Sequence, residues 1–156
     1  MHTLDTHISW MSGSLSVGQA GNHTVTIDRP ESVGGTDAGF RASELFLLSI
    51  GACLTNNLIA AAQARNIVLT KLETHVSAVE ASHPKRFDPI TLSVDLDGTR
   101  NGIALTVSER DLLLLVTERG CGVLNSLRSD TTTLNVTLVK NPVVVLQHEA
   151  ELLAVG

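Results

Sequence analysis

The sequence predicts an α+β fold, in which strands and helices follow one another in blocks and not as repeated strand–helix–strand units. The first observation behind this prediction is the order of the hydrophobic patterns: three short strands, a helix, two strands, a helix and a closing strand. The second is that each helical segment carries one of the chain's two cysteines beside small residues. We expect a single domain over residues 1–140, followed by a C-terminal tail, 141–156, to which no role is assigned.

The N-terminal part predicts three short strands, HISWM, SLSV and HTVTID, because turn residues separate short segments rich in β-branched and apolar residues. The polar segment RPESVGGTDAG, residues 29–39, predicts a loop in which Gly34 and Gly35 serve turn geometry. It contains neither GxGxxG nor GxxxxGK, so we do not expect a nucleotide-binding loop.

The longest helical pattern runs from Ala42 to about Arg65 and contains no proline. Its apolar residues recur at three- and four-residue steps, which predicts one buried stripe formed by Leu47, Ile50, Leu54, Leu58 and Ala61. Gly51 costs this helix about 0.5–1 kcal/mol relative to alanine. We therefore expect the backbone of a second helix to approach closely at Gly51.

The second half of the chain alternates apolar and polar residues before a second helical pattern appears. It predicts a long strand over IVLTKLETHVSAVEA, a turn at SHPKRFDP and a strand over ITLSVDLDG, while NGIALTV remains ambiguous. A helix over Glu109–Arg128 follows, with Ser108 and Asp111 as its capping pattern and Cys121 within it. TTTLNVTLV predicts the closing strand.

Composition excludes several classes of function. The net charge of −5 and an aromatic content of 3% argue against a nucleic-acid partner. We expect no membrane span and no secretory signal, and hence a cytoplasmic protein. With 43% hydrophobic and 17% charged residues the chain is apolar for a soluble monomer, so we expect apolar surface to be covered by a second subunit.

Cys53, in SIGACLTNNL, has two interpretations. It is either a small buried hydrophobe or a reactive thiol served by the polar groups beside it. A permanent disulfide with Cys121 is not expected in a reducing compartment, and the six histidines lack metal-ligand spacing, so we expect no metal and no resident cofactor. Asn56 and Asn57 are expected to line a pocket or to bond a neighbouring chain, without a catalytic role.

Two motifs together resemble a known family. GGTDAGFRASELFLLSIGACLTNNL is similar to the glycine-rich loop and cysteine helix of the OsmC/Ohr family, and CGVLNSL, from Cys121, is similar to its second cysteine motif. The resemblance covers His7 to Val139 and is nearest to the uncharacterised OsmC-like branch. It implies an OsmC-like fold: an intertwined homodimer with two long central helices and wrapping antiparallel sheets.

The resemblance also implies a function, the thiol-dependent reduction of organic hydroperoxides. Cys53 matches the attacking cysteine, Cys121 the resolving cysteine and Glu44 the carboxylate preceding the helix. The implied partners are a second copy of the chain, a small hydrophobic peroxide and an external dithiol reductant such as a lipoyl group. The alternatives are a binding protein for a hydrophobic or thiol-bearing ligand, and a redox sensor, on the same dimeric fold.

The family arginine comes from the loop before the helix, where this chain offers Arg29 and, as the alternative, Arg41. A guanidinium held by Glu44 would raise the thiolate fraction of Cys53. Glu44 lies nine residues before Cys53, which on a straight helix is the opposite side. Its role therefore requires Glu44 to lie at or before the helix start, or to act across the dimer.

Overall fold

The computed structural model describes residues 3–128, 134–140 and 143–149, the last two segments by their backbone. The chain forms two compact units, Met1–Phe46 and Leu47–Gly156. The α+β class predicted from the sequence is confirmed. In chain order the elements are β1 (His7–Ser12), β2 (Leu15–Ala20), β3 (His23–Ile27), α1 (Ala42–Gln63), β4 (Ile67–Ser82), β5 (Lys85–Arg100), β6 (Ile103–Ala104), α2 (Val107–Gly120), α3 (Gly122–Leu127), β7 (Leu134–Lys140) and β8 (Val143–Glu149).

The first unit contains a three-stranded antiparallel sheet in the order β1-β2-β3. Val17 in β2 lies opposite Ser9 of β1 and Thr26 of β3. Gly13 and Gly21 occupy the two tight turns with φ of +52° and +56°, a region that glycine adopts without a Cβ clash. The three predicted strands are therefore confirmed.

The sheet of the second unit has the order β4-β5-β7-β8, with β6 paired to β5. β4 and β5 form a long antiparallel hairpin that turns at His83-Pro84, so the predicted turn is shorter than expected and Lys85 to Pro89 already belong to β5. The segment from Lys85 to Pro89 contains one proline, directly follows Pro84 and lacks apolar alternation. These features indicate a turn, which is why the sequence pattern did not predict a strand here. Cross-strand pairing along the whole hairpin overrides that local signal.

One strand pair of this sheet is parallel: β7 pairs with β5 in parallel and with β8 in antiparallel orientation. A parallel pair needs a crossover connection, and α2 and α3 lie in the segment that connects β5 to β7. β7 confirms the predicted closing strand from residue 134, while its predicted first residues, 131–133, lie outside the described residues. β8 falls within the segment expected to be a tail.

The core of the second unit combines one face of α1 with alternate residues of β5, as the two sequence periods predict. The large side chains with at most 1% exposure are Ile50, Leu54, Leu58, Ile90, Leu92, Val94, Leu96, Leu113 and Leu124. Two members of the predicted stripe, Leu47 and Ala61, are only partly buried. By length and composition α1 also qualifies as a membrane-spanning candidate, a test that core helices of soluble proteins pass as well.

Gly51 faces the sheet. A Cβ atom at this position would lie 3.0 Å from Cγ2 of Val76 and 3.9 Å from Cγ2 of Thr74, both on β4. The expected close approach of a second helix backbone at Gly51 is therefore wrong, because side chains of β4 occupy that space. A hydrogen bond of 2.9 Å between the hydroxyls of Thr55 and Thr74 joins the same two elements.

The second predicted helix, Glu109–Arg128, is in fact two helices. The backbone leaves the helical conformation at Cys121, with φ −79° and ψ 107°, so that Cys121 ends α2 and begins α3. Gly120 and Gly122 flank this residue, and each glycine in a helix interior costs about 1 kcal/mol relative to alanine. The expectation that Cys121 lies within one long helix is thus wrong, and the two glycines give the physical reason.

The start of α2 also differs from the prediction. Thr106 is the N-cap: its hydroxyl accepts the backbone N–H of Glu109, and the Glu109 carboxylate accepts the N–H of Thr106. This reciprocal pair is a capping box. Ser108, expected as the cap, lies in the first turn of α2, because the same four-residue pattern occurs two positions earlier as Thr106 to Glu109.

Candidate active site

Cys53 lies on α1 at the edge of the buried stripe. Its neighbours Ile50 and Leu54 have no exposed surface, whereas Cys53 itself is partly exposed and carries a free thiol. The helix thus places the sulfur between core and solvent. A thiol in this position is open to a small reagent while its backbone remains fixed by the core.

Cys121 is the opposite case, a free thiol with no exposed surface. Burial raises the pKa of the Cys121 thiol, and the neighbouring Cys53 side chain raises it further. The backbone amides of Leu124 and Val123 act in the opposite direction, although no side-chain hydrogen bond of standard geometry caps α3. Cys121 therefore stays protonated at neutral pH.

The structure brings the two predicted cysteines together. They are 68 positions apart in sequence, yet the Cys53 side chain lies near enough to the Cys121 thiol to raise its pKa. The break between α2 and α3 contributes, because it places Cys121 at a point where the backbone is extended and not wound into a helix. What this pair can do chemically is exchange a reduced dithiol for a disulfide.

Asn57 lies one helical turn after Cys53 and contacts it twice. Its Nδ2 atom is 2.8 Å from the backbone oxygen of Cys53 and 3.6 Å from Sγ of Cys53. The amide therefore bonds within its own helix, and the contact with the sulfur was not foreseen from the sequence. The four-residue spacing from the cysteine is the signal that would have found it.

Glu44 lies in the first turn of α1, in the first unit. Its carboxylate accepts the backbone N–H of Arg41 at 2.9 Å and pairs with Nε of Arg41 at 3.0 Å. The backbone hydrogen bond, followed by the contact with the guanidinium, holds the pKa of Glu44 below its usual value. The arginine that Glu44 holds is thus Arg41, and one carboxylate both caps the helix and orients the guanidinium.

Arg29 begins the glycine-rich loop, which is organised by Asp28, a residue that sequence reasoning missed. Asp28 is 3% exposed, and its carboxylate accepts hydrogen bonds from the hydroxyls of Ser14 and Thr36 and from the backbone N–H groups of Arg29, Thr36 and Ala38. The Ser14 hydrogen bond is the largest of the causes that hold the pKa of Asp28 far below its usual range. A carboxylate at the end of a strand, directly before a glycine-rich loop, is the signal that points to this role.

Gly35 has a different function in this loop from the one predicted. A Cβ atom there would lie 1.9 Å from the carbonyl oxygen of Arg29, whereas Gly34, with φ +83°, faces open space. Gly34 thus serves turn geometry as expected, and Gly35 permits a close approach of two backbone segments. Arg29, Arg41 and Glu44 belong to the first unit and the two cysteines to the second, so the roles of these three residues stay predictions.

Two further features bear on what the site can bind. Among the residues that the structure describes, no three His, Cys, Asp or Glu side chains group as metal ligands. A groove of about 550 Å³ lies in the second unit, and neither cysteine lines it; its lining residues are Thr55, Ile59, Ala62, Gln63, Ile67, Leu69, Thr70, Lys71 and Leu72.

The comparison with protein families decides the relationship. The family described as OsmC-like protein matches residues 35–136, more than half of the chain. The chain belongs to the OsmC-like family. No curated protein sequence matches it.

Solved structures of other OsmC-like proteins share the fold. The OsmC-like protein from Mycoplasma pneumoniae is 18% identical and covers 89% of this chain and 97% of its own, with a TM-score of 0.77. An organic hydroperoxide resistance protein OsmC from Legionella pneumophila is 19% identical, covers 90% and 97%, and has a TM-score of 0.64. An organic hydroperoxide resistance protein from Elizabethkingia anophelis is 16% identical, covers 90% and 98%, and has a TM-score of 0.65.

Proposed function

We propose that this protein is a thiol peroxidase that reduces organic hydroperoxides, with Cys53 as the attacking and Cys121 as the resolving cysteine. The observation that carries the proposal is that a partly exposed thiol and a buried, protonated one are neighbours. The two environments assign the roles, because the attacking sulfur must meet the peroxide and the resolving sulfur must meet only its partner. Two of the structural neighbours are named organic hydroperoxide resistance proteins, which supports the same reaction class.

The reaction has three balanced steps. The Cys53 thiolate attacks the terminal peroxide oxygen, the O–O bond breaks, and the alkoxide takes up a proton to leave as an alcohol, which oxidises Cys53 to a sulfenic acid. The Cys121 sulfur then bonds to the Cys53 sulfur, and the sulfenic hydroxyl leaves with the Cys121 proton as water. An external dithiol, such as a lipoyl group, reduces the disulfide and is itself oxidised to a disulfide.

Activation of Cys53 is assigned to an arginine of the segment before α1. The ion pair with Glu44 favours Arg41 over Arg29, because the carboxylate restricts the guanidinium while engaging one of its five N–H donors. Glu44 lies inside the first turn of α1, nine residues before Cys53, so we propose that the pair acts on the cysteine of the partner subunit. We expect Arg41→Ala to slow peroxide consumption more than Arg29→Ala does.

We propose a homodimer, since both long helices expose apolar side chains. Leu48 on α1 is 53% exposed and Leu112 on α2 is 50% exposed, and Ile59, Leu115 and Val116 are also exposed. Light scattering is expected to give the dimer mass at micromolar concentration, and Leu112→Glu to shift it towards the monomer. Ser108→Glu, which adds the same charge to the first turn of α2, is the matched control. A well-folded monomer of the unmodified protein would contradict the proposal.

The decisive experiment is stoichiometric. Fully reduced protein is mixed with cumene hydroperoxide, and the thiols lost and the alcohol released are counted. We expect two thiols lost per alcohol formed, and repeated turnover when a dithiol reductant is present. The proposed cytoplasmic location supplies such reductants, because that compartment keeps thiols reduced.

Two variants separate the roles of the cysteines. Cys53→Ser is expected to abolish peroxide consumption, and Cys121→Ser to allow one turnover and leave a sulfenic acid that dimedone labels. Peroxide consumption by Cys53→Ser at the unmodified rate would refute the mechanism. Reversible formation of the Cys53–Cys121 disulfide with only slow peroxide turnover would identify a redox sensor, and no oxidation at all would favour the ligand-binding alternative.

A further inference from the structure

We propose that Asn57 is a catalytic residue whose side-chain amide donates a hydrogen bond to Sγ of Cys53 and stabilises this sulfur when it is ionised. The inference rests on the proposed peroxidase function, since it concerns the attacking thiol. It is carried by the 3.6 Å contact between Nδ2 of Asn57 and Sγ of Cys53, a distance within hydrogen-bonding range for sulfur. From the sequence alone, no catalytic role is expected for Asn57.

The orientation of the amide follows from its second contact. Nδ2 lies 2.8 Å from the backbone oxygen of Cys53, an atom that only accepts hydrogen bonds. The end of the amide that faces this oxygen must therefore be the NH₂ group and not the carbonyl, which resolves the usual ambiguity between the two. One of its two protons is used by the backbone oxygen, and the other is available to the sulfur.

The surroundings leave room for this arrangement. The amide oxygen of Asn57 lies 3.6 Å from where a Cβ atom of Gly120 would be, the residue directly before Cys121. The Asn57 side chain thus contacts Cys53 on α1 and approaches the end of α2. Asn56, its neighbour on the helix, is exposed and provides a natural comparison.

The Cys121 thiol is a second neighbour of Cys53, but its proton leaves in the disulfide-forming step. The amide of Asn57 carries no proton that the cycle consumes, and it moves with the same helical turn as Cys53. It remains a donor when reduction of the disulfide regenerates the Cys53 thiolate.

The choice of asparagine is costly for the helix. Asparagine is a poor residue for a helix interior because its side chain competes for backbone groups, as it does here with the Cys53 oxygen. Alanine at position 57 is expected to leave the melting temperature equal or higher. A loss of thiol reactivity in Asn57→Ala would then be separable from any loss of folding.

The test measures the alkylation of Cys53 by iodoacetamide in the full-length reduced protein across the pH range in which thiols ionise. Mass spectrometry of the Cys53 peptide follows this thiol alone. We expect Asn57→Ala to shift the midpoint of the pH profile upward by about one pH unit, with the limiting rate at high pH unchanged. Asn57→Asp is expected to shift it further, because a like charge beside the sulfur disfavours the thiolate. Asn56→Ala and Asn56→Asp are the matched controls.

Each outcome decides the matter. A profile of Asn57→Ala that coincides with that of Asn56→Ala overturns the inference, and so does a change confined to the limiting rate, which would indicate altered access. An upward shift without peroxide consumption by the unmodified protein establishes the donor and refutes the peroxidase function. Peroxide consumption by the unmodified protein together with an unshifted pH profile of Asn57→Ala supports the peroxidase function and refutes the hydrogen-bond donor.

Discussion

Gly35→Ala tests whether the glycine-rich loop depends on a close backbone approach. The added Cβ atom would lie 1.9 Å from the carbonyl oxygen of Arg29 and 2.4 Å from its carbonyl carbon. Since real Cβ contacts are essentially never shorter than 3.0 Å, the two segments must separate by about 1.1 Å. Backbone atoms cannot adjust by rotating a side chain, so the displacement affects the whole loop.

The size of the effect follows from what the displacement breaks. Steric overpacking costs about 1–3 kcal/mol, and loss of the hydrogen bond from the Gly35 N–H to the Pro30 oxygen costs about 1 kcal/mol more. We expect a loss of about 2–4 kcal/mol in total. Gly34→Ala is the matched control, because a Cβ atom added at this position meets no atom within 4 Å. Its only cost is the backbone strain of an alanine with a φ of +83°, about 1 kcal/mol.

Two assays follow the change. Urea unfolding gives the loss of stability of each variant, and hydrogen exchange of the Thr36 and Ala38 amides, which donate to Asp28, reports the loop directly. Gly35→Ala is expected to lower the urea midpoint more than Gly34→Ala does and to accelerate exchange at both amides. Equal midpoints and unchanged exchange in the two variants would show that the close approach does not constrain this loop.

Three further predictions concern the second unit and the surface. Thr106→Ala is expected to cost about 1 kcal/mol in urea unfolding and Ser108→Ala less than about 0.5, and the reverse order would restore Ser108 as the cap of α2. Leu54→Ala, at a site with no exposure, is expected to cost about 2–5 kcal/mol, and Leu4→Ala, at 86% exposure, under about 0.5 kcal/mol. The reduced protein is expected to lose stability as the pH rises above 9.0. The pKa of Cys121 is raised in the folded protein, so this thiol ionises first in the unfolded chain and favours unfolding. Cys121→Ala should make the decline less steep, and equal slopes of stability against pH in the two proteins would contradict the prediction.

The elements with one dominant hydrophobic period could be predicted from the sequence. The alternation over residues 90–98 predicts a strand and the stripe of α1 predicts the burial of Leu54, and the structure confirms both. The turns of the first sheet could also be predicted, because Gly13 and Gly21 adopt positive φ within short turns between neighbouring strands.

The rest depends on partners that are distant in sequence. The environment of Gly51 is decided by the β4 side chains that lie opposite, which no local pattern records. The break at Cys121 and the loop built on Asp28 have local signals, the flanking glycines and a carboxylate before a glycine-rich loop, but neither signal identifies the partner atoms. Cys53 and Cys121 were paired through a family resemblance, whereas the contact of Asn57 with the sulfur was missed. Its spacing was visible, but an amide in a helix has many possible partners.

The different burial of the two cysteines bears on the order of the proposed reaction. If both thiols ionised readily, either sulfur would attack a peroxide, and the buried one would release its alcohol into the core. Burial and the neighbouring Cys53 side chain keep the Cys121 proton in place, so in the proposed reaction Cys121 would not compete for the peroxide. The same proton is then needed in the second step, where it leaves with the sulfenic hydroxyl as water. A raised pKa at Cys121 thus favours attack by Cys53 first and supplies the proton for disulfide formation afterwards.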